Sequence, residues 1–287
     1  MTTTQAATLR GVTKQYPKFA LGPIDLALPA GSIVGLIGEN GAGKTTLLKL
    51  LSGVNRPDSG EITLLGSTPD DPAARARIGV VYEESFFYMG LTLARIGRSM
   101  AGMYGSAWDA KLYAQLLERF QLDPKQKLKD FSRGMRMKAR LATAMAHRPD
   151  LLILDEATSG LDPVVRGELL DLLLEFIQDE RHTVLMSSHI TADLEQVADS
   201  IACLHGGKLL FHENKDELLQ HYGLLRCPDE DLRRLDRAAI VYTRKGAFGS
   251  ETLVSDRAAV AAALPHAVCD AAGLDDIMRF YSGRDAQ

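Results

Sequence analysis

At 287 residues, with 46% hydrophobic and 24% charged residues, the chain has an ordinary globular composition and enough length for one large domain and a smaller one. A formal net charge of -4 weighs against nucleic acid as the main partner, although a local basic patch is compatible with it. Cys203, Cys227 and Cys269 are widely spaced and form no C-x-x-C pair, which excludes a zinc ribbon, a redox dithiol or a disulfide framework and fits a reduced cytoplasm. No run approaches the roughly 20 apolar residues of a membrane span, and "MTTTQAATLR" lacks a secretory core. The chain is expected to be soluble, with any membrane role borrowed from a partner.

The first 65 residues are strand-rich: "ATLRGVTKQY" and "GPIDLALPAG" are punctuated by Gly and Pro, and "SIVGLIG" is apolar enough for a buried strand. A helix is predicted from near Gly43 through "KTTLLKLLSG", stopped by Gly53. After a further buried strand at "RIGVVYE", residues 85–148 read as a helical, methionine-rich insertion. There Leu112, Leu116, Leu117 and Phe120 share one helical face. Core packing is the favoured reading of Met89, Met100, Met103, Met135, Met137 and Met145.

Strand "LLILD", helix "PVVRGELLDLLLEFIQDE", strand "HTVLMSSH" and helix "TADLEQVADS" then alternate, which implies a parallel sheet covered on both faces. A hairpin is predicted around Gly206 and Gly207 in "DSIACLHGGKLLFHE". The fold class is therefore α/β, a strand-rich N-terminal part and a parallel-sheet core in residues 1–213. Residues 214–287 are assigned to a small α+β accessory domain, with a strand at "AAIVYTR", an Ala-rich helix over 257–263 and a last helix at "LDDIMRFYSG".

"GENGAGKT" matches G-x-x-x-x-G-K-[ST] and lies between a buried strand and a helix, where a phosphate loop must lie. Gly38, Glu39, Asn40, Gly41, Ala42, Gly43, Lys44, Thr45 and Thr46 are assigned to nucleotide binding. Their backbone N–H groups turn inward at the positive end of a helix. Lys44 is to reach the β- and γ-phosphates and Thr45 to ligate Mg²⁺. "LLILDE" supplies the remaining carboxylates, Asp155 for the metal and Glu156 as general base for an attacking water.

Taken in order, "KQYPKFAL", the phosphate loop, "VVYEES", "FSRGMRMK", "LLILDEATSGLDP" and "SSH" make residues 8–212 resemble the ATP-binding cassette (ABC) ATPases that power membrane transporters. The short first strands, the helical insertion and the compact tail look most like single-cassette bacterial exporter subunits of the bacitracin- and antibiotic-resistance type. The resemblance implies an ATP hydrolase using ATP and Mg²⁺. It makes Tyr16 the aromatic that stacks on adenine, Asp162 the residue of the loop crossing to the opposing subunit, and His189 a contact to the γ-phosphate.

The resemblance also implies that two cassettes, identical or different, pair head to tail around two ATP molecules. Each ATP then lies between one phosphate loop and Ser132 and Gly134 of the other subunit. A transmembrane permease is the implied partner, reached through the insertion from Glu84 to Met100. The place of action is the cytoplasmic face of the cell membrane, with no nucleic acid expected. The alternatives are a soluble cassette acting on nucleic acid or the ribosome, and a regulatory cassette with weak ATPase.

Two positions depart from the family pattern. Glu83, or its neighbour Glu84, stands where Gln is usual; a carboxylate there is still a metal ligand and implies altered metal affinity or coupling. Arg133 replaces a signature glycine, while Ser132 and Gly134 survive at a helix N-terminus suited to an anion. Arg133, Arg136 and Arg140 form a stripe that fits either solvated surface or an electrostatic role toward nucleotide or partner.

Overall fold

The computed structural model describes residues 4–83, 87–246 and 249–282. Strands β1 (Gln5–Tyr16) and β2 (Phe19–Pro29) pair antiparallel, and β1 pairs on its other side with β4 (Ser59–Leu64). Along β2 the apolar residues Leu21, Ile24, Leu26 and Leu28 are buried. They close over one face of the central sheet with β3 (Ile33–Ile37) and α1 (Lys44–Leu51).

Helix α1 begins at Gly43, whose φ of 108° suits glycine. A Cβ there would lie 2.9 Å from the Phe19 ring and 2.8 Å from Leu21. Leu47, Leu48, Leu50 and Leu51 are fully buried, each worth about 1.5–3 kcal/mol relative to exposure. The helix ends at Ser52, one residue before the left-handed Gly53.

The short α2 (Pro72–Arg75) leads to β5 (Ile78–Val81). Three helices follow in the insertion: α3 (Leu93–Tyr104), α4 (Ala110–Arg119) and α5 (Arg133–Met145), capped in turn by Thr92, Asp109 and Ser132. The predicted face of α4 is inward, with Leu116, Leu117 and Phe120 buried, Leu112 partly so, and Tyr113 added. Of the methionines, Met137 and Met145 are core residues, while Met103 is 77% exposed and Met89 is also exposed. The core reading therefore fails for those two.

Strand β6 (Leu151–Asp155), α6 (Pro163–Phe176), β7 (Thr183–Ser187), α7 (Thr191–Val197), β8 (Ser200–His205) and β9 (Lys208–Asn214) complete a six-stranded sheet of order β5-β6-β7-β3-β8-β9. All pairs are parallel except the edge hairpin β8/β9. Gly206 and Gly207 in its turn both have positive φ, as a tight two-residue hairpin needs. The parallel order brings the C-terminal ends of β3, β5, β6 and β7 to one edge, where α/β sheets place their ligands.

Beyond α8 (Lys215–His221) lie β10 (Gly223–Cys227), α9 (Asp229–Leu232), β11 (Ile240–Gly246), β12 (Gly249–Val254), α10 (Arg257–Ala263), β13 (Val268–Ala271) and α11 (Leu274–Ser282). The four strands form an antiparallel sheet of order β11-β12-β10-β13. The last helix returns to the cassette: Leu274, Ile277 and Phe280 are fully buried in the same apolar cluster as Leu194 and Val197 of α7. Glu195 of α7 accepts from the Leu274 amide at 2.7 Å, and the Tyr222 and Tyr281 hydroxyls meet at 3.1 Å. Among the described residues no helix is long and apolar enough to cross a membrane.

Candidate functional site

The loop after β3 folds back on itself because Gly38 tolerates what a side chain would not: a Cβ there would lie 2.4 Å from the Leu204 carbonyl oxygen. The buried Lys44 ammonium donates to the Gly38 carbonyl at 2.7 Å and approaches that of Glu39 at 3.4 Å. It also lies 3.3 Å from Glu156 Oε1. The other Glu156 oxygen meets His189 Nδ1 at 2.6 Å and the His189 amide at 3.3 Å. Because an ionised carboxylate only accepts, Nδ1 carries the proton and Nε2 is left for another partner.

Glu156 is held in this bridge by its backbone. Its φ of 52° is left-handed, an uncommon conformation for a residue with a side chain, at the turn where the chain leaves β6. Its amide donates to Ser187 Oγ at 3.0 Å. Strand register places Asp155 opposite Ser187, so the same hydroxyl donates to Asp155 Oδ1 at 2.7 Å. Thr45 Oγ1 donates to the other oxygen at 2.8 Å. Asp155 is thus fixed from both sides, and Ser187 is a positioning group that sequence reading passed over in "SSH".

A cleft of about 490 Å³ opens above these groups, lined by Lys18, Phe19, Glu39, Asn40, Gly41, Gly43, Lys44, Thr45, Thr46, Glu83 and Glu156. Eight of the predicted loop and carboxylate positions therefore share one wall with Glu83, while Gly38 and Ala42 lie beneath it. Glu84, the alternative to Glu83, lies outside the described residues. Among the described residues no cluster of three His, Cys, Asp or Glu side chains forms a ready-made metal centre. Thr45 and Asp155, with Glu83 lining the cleft, form an oxygen-only donor set. Mg²⁺ uses such sets, with one or two carboxylates beside substrate phosphates, so the residues fit that ion.

Tyr16 does not line the cleft. It ends β1 with its hydroxyl accepting from Asn55 Nδ2 at 2.9 Å, while Phe19, 6.4 Å away between ring centroids, takes the cleft wall against Gly43. Both aromatics stand in "KQYPKFAL", and the choice between them depends on how the turn at 17–18 sends β2. Beneath the loop, burial and the nearby Glu39 push the Cys203 thiol up to about 12, leaving it a protonated core group.

Ser132, Gly134 and Asp162 lie outside the cleft and form a second surface. Ser132 Oγ accepts from the Met135 amide at 3.2 Å as the N-cap of α5. Asp162 caps α6 by accepting from Val164 and Val165 at 3.1 Å each. The two helix starts adjoin: a Cβ on Gly134 would sit 3.4 Å from Val165, and the Arg133 guanidinium lies over Gly160. The arginine stripe is not all solvated, since Arg140 is half-buried and donates to main-chain carbonyls at the end of β5.

Comparison with known proteins agrees with this geometry. The ABC transporter family profile matches residues 21–159. An uncharacterised ABC transporter ATP-binding protein of Synechocystis is 37% identical over 207 residues, covering 70% of this chain and 58% of that protein. The bacitracin transport ATP-binding protein BcrA of Enterococcus faecalis is 33% identical over 214 residues, 72% of this chain and 68% of its own length. The matched part of the chain thus spans about three-fifths to two-thirds of these relatives.

Among solved structures, an ATP-binding subunit of an ABC transporter superposes with a TM-score of 0.69 at 30% identity, over 75% of this chain and 92% of that one. The protein cbiO1 from Clostridium perfringens, part of the ABC transporter complex cbiONQ, shares the fold with a TM-score of 0.62 at 22% identity, over 73% of this chain and 88% of its own. The chain belongs to the ABC transporter ATP-binding family, whose members bind ATP and hydrolyse it in transporters.

Proposed function

We propose that this chain is the ATP-hydrolysing subunit of a membrane exporter, working as a head-to-tail pair on the inner face of the membrane and driving a separate permease. The observation that carries this reading is the bridge from Lys44 through Glu156, both of which line the cleft, to His189. In it one carboxylate is shared by a cation and an imidazole. Triphosphate oxygens entering the cleft would take over the Lys44 ammonium and so release Glu156 Oε1 for a water.

In this reading Glu156 draws a proton from that water as its oxygen attacks the γ-phosphorus, the bond to the β,γ-bridging oxygen breaks, and ADP and phosphate leave. With Nδ1–H donating to Glu156, a His189 imidazolium would donate through Nε2–H to the γ-phosphate, and Lys44 would stabilise charge on the same oxygens. Donors fixed in this way contribute roughly 10²–10³-fold each. Thr45, Asp155 and Glu83 would hold Mg²⁺, which when bound neutralises phosphate charge.

Ser132 and Gly134, exposed or half-exposed and outside their own cleft, would close over the ATP of the second subunit. Phe19 or Tyr16 would receive the adenine. The division into a cassette of residues 1–213 and an accessory unit of 214–287 belongs to the same proposal, with α11 bracing α7 just downstream of His189. The Enterococcus relative is named for bacitracin transport, which supports export of an antibiotic-like compound.

Pairing is tested by Glu156→Gln protein with ATP on a sizing column. Dimers that require ATP are expected, and monomers under those conditions would remove the paired arrangement.

A further inference from the structure

Arg140 stands in the middle of α5, about 12 Å along the helix from Ser132 at 1.5 Å per residue. Its Nη1 donates to the main-chain oxygens of Glu83 at 2.7 Å and Tyr82 at 3.3 Å. These carbonyls close the segment after β5, and Glu83 at its end lines the nucleotide cleft. Arg140 Nε is buried and meets no hydrogen-bond acceptor among the described residues. The side chain forms one wall of a cavity of about 110 Å³ with Val80, Tyr82, Phe87, Met100 and Tyr104.

The setting as a whole disfavours a charge. Among the described residues no carboxylate lies within ion-pair distance of Arg140. The other charged groups on its stripe are Arg133 and Arg136, of which Arg136 donates to the Phe131 carbonyl at 2.9 Å. Burial first, then the charges of Arg136 and Arg133, hold the Arg140 pKa below the usual arginine value, and Glu83 opposes them. An apolar side chain of the same length would fill this space without desolvating a charge. What it would not do is tie two main-chain carbonyls of the Glu83 segment to the signature helix.

We propose that Arg140 is a positioning residue that joins the two nucleotide surfaces of one subunit, so that engagement of the Ser132 end of α5 sets the position of Glu83 in that subunit's own cleft. The inference rests on the paired-cassette reading above. Helix α5 is one continuous element of 13 residues, and a shift of its N-terminus reaches Arg140 undivided. Through two hydrogen bonds it then reaches the backbone that carries Glu83.

The test uses the full chain carrying Arg140→Met, which keeps the apolar stem, and Arg140→Lys, which keeps a donor. In the Glu156→Gln background, ATP-driven dimers are expected to slow amide exchange across residues 78–83. That slowing is lost in Arg140→Met and kept in Arg140→Lys, while the dimer still forms in both. In otherwise wild-type protein, kcat falls about 10-fold in Arg140→Met, the scale of one charge-assisted hydrogen bond, with KM for ATP unchanged. Adding Glu83→Gln to Arg140→Met costs nothing further. Equal exchange protection in Arg140→Met, or losses from Glu83→Gln and Arg140→Met that multiply, would overturn the inference. Absence of ATP-driven dimers when Arg140 is intact would instead remove the paired reading beneath it.

Discussion

At the phosphate loop each reactive side chain is already held by another part of the chain. Lys44 is bound by Gly38 and Glu156, Asp155 by Thr45 and Ser187, and Glu156 by His189 and a left-handed backbone. At the N-terminus of α5, by contrast, Ser132 and Arg133 are exposed, and among the described residues the Ser132 side chain does no more than cap its helix. One surface is preorganised for chemistry, and the other has unspent donors. Substitutions should separate accordingly: at the first they remove the reaction, at the second they remove only what a second subunit receives.

The largest effect breaks both halves separately and then recombines them. Lys44→Ala and Ser132→Ala are each expected to lose turnover by about 10²–10³-fold in a phosphate-release assay, while Ser132→Ala costs only about 1 kcal/mol of stability as a lost N-cap. An equal mixture of the two proteins should recover turnover that neither has alone, because a head-to-tail pair of one of each contains one intact site. No recovery would mean that Ser132 serves its own subunit.

A smaller effect sharpens the first surface. Phe19→Ala is expected to weaken binding of a fluorescent ATP analogue about 10-fold, within the roughly 1–3 kcal/mol of base–aromatic stacking, and Tyr16→Ala to weaken it less. The reverse order would return the adenine to Tyr16.

The smallest effect concerns the other end of α5, which is as closed as its start is open. His147 is buried with Nε2 3.0 Å from the Ile78 carbonyl, and burial lowers its pKa below the ordinary value of about 6.5. The folded state therefore stays neutral while the unfolded chain takes up a proton. The contribution of His147 is complete above about pH 6.5 and is lost as pH falls toward the folded pKa. His147→Gln should show a shallower fall in Tm between pH 7.5 and 5.5, and an unchanged slope would contradict this.

Much of the first surface was legible because its signals are local. The phosphate loop and the apolar strand ending in Asp155, with Glu156 just beyond it, each occupy one short stretch, as does the Ser132 cap on the second surface. Ser187 escaped because its role depends on lateral register with Asp155 across two strands. Phe19 lines the cleft where Tyr16 does not, a difference set by the turn between β1 and β2 and not by either residue's place in the motif. The arginine stripe has one helical period but three environments, and only packing against β5 singles out Arg140.

In the C-terminal region the Ala-rich helix α10, strand β11 and helix α11 were readable by composition and period. Strands β10, β12 and β13 were not. They are only four to six residues long, and β13 is largely exposed, so it shows no apolar alternation. The docking of α11 on α7 is likewise a tertiary fact, written in the burial of Phe280 and not in any motif.

Steady-state phosphate release from Mg-ATP by the wild-type chain and by Glu156→Gln tests whether Glu156 activates water for ATP hydrolysis. Turnover is expected to fall at least about 100-fold in the variant, the lower end of general-base contributions, with ATP still bound. Absence of wild-type turnover, or turnover that survives the substitution, would contradict that role.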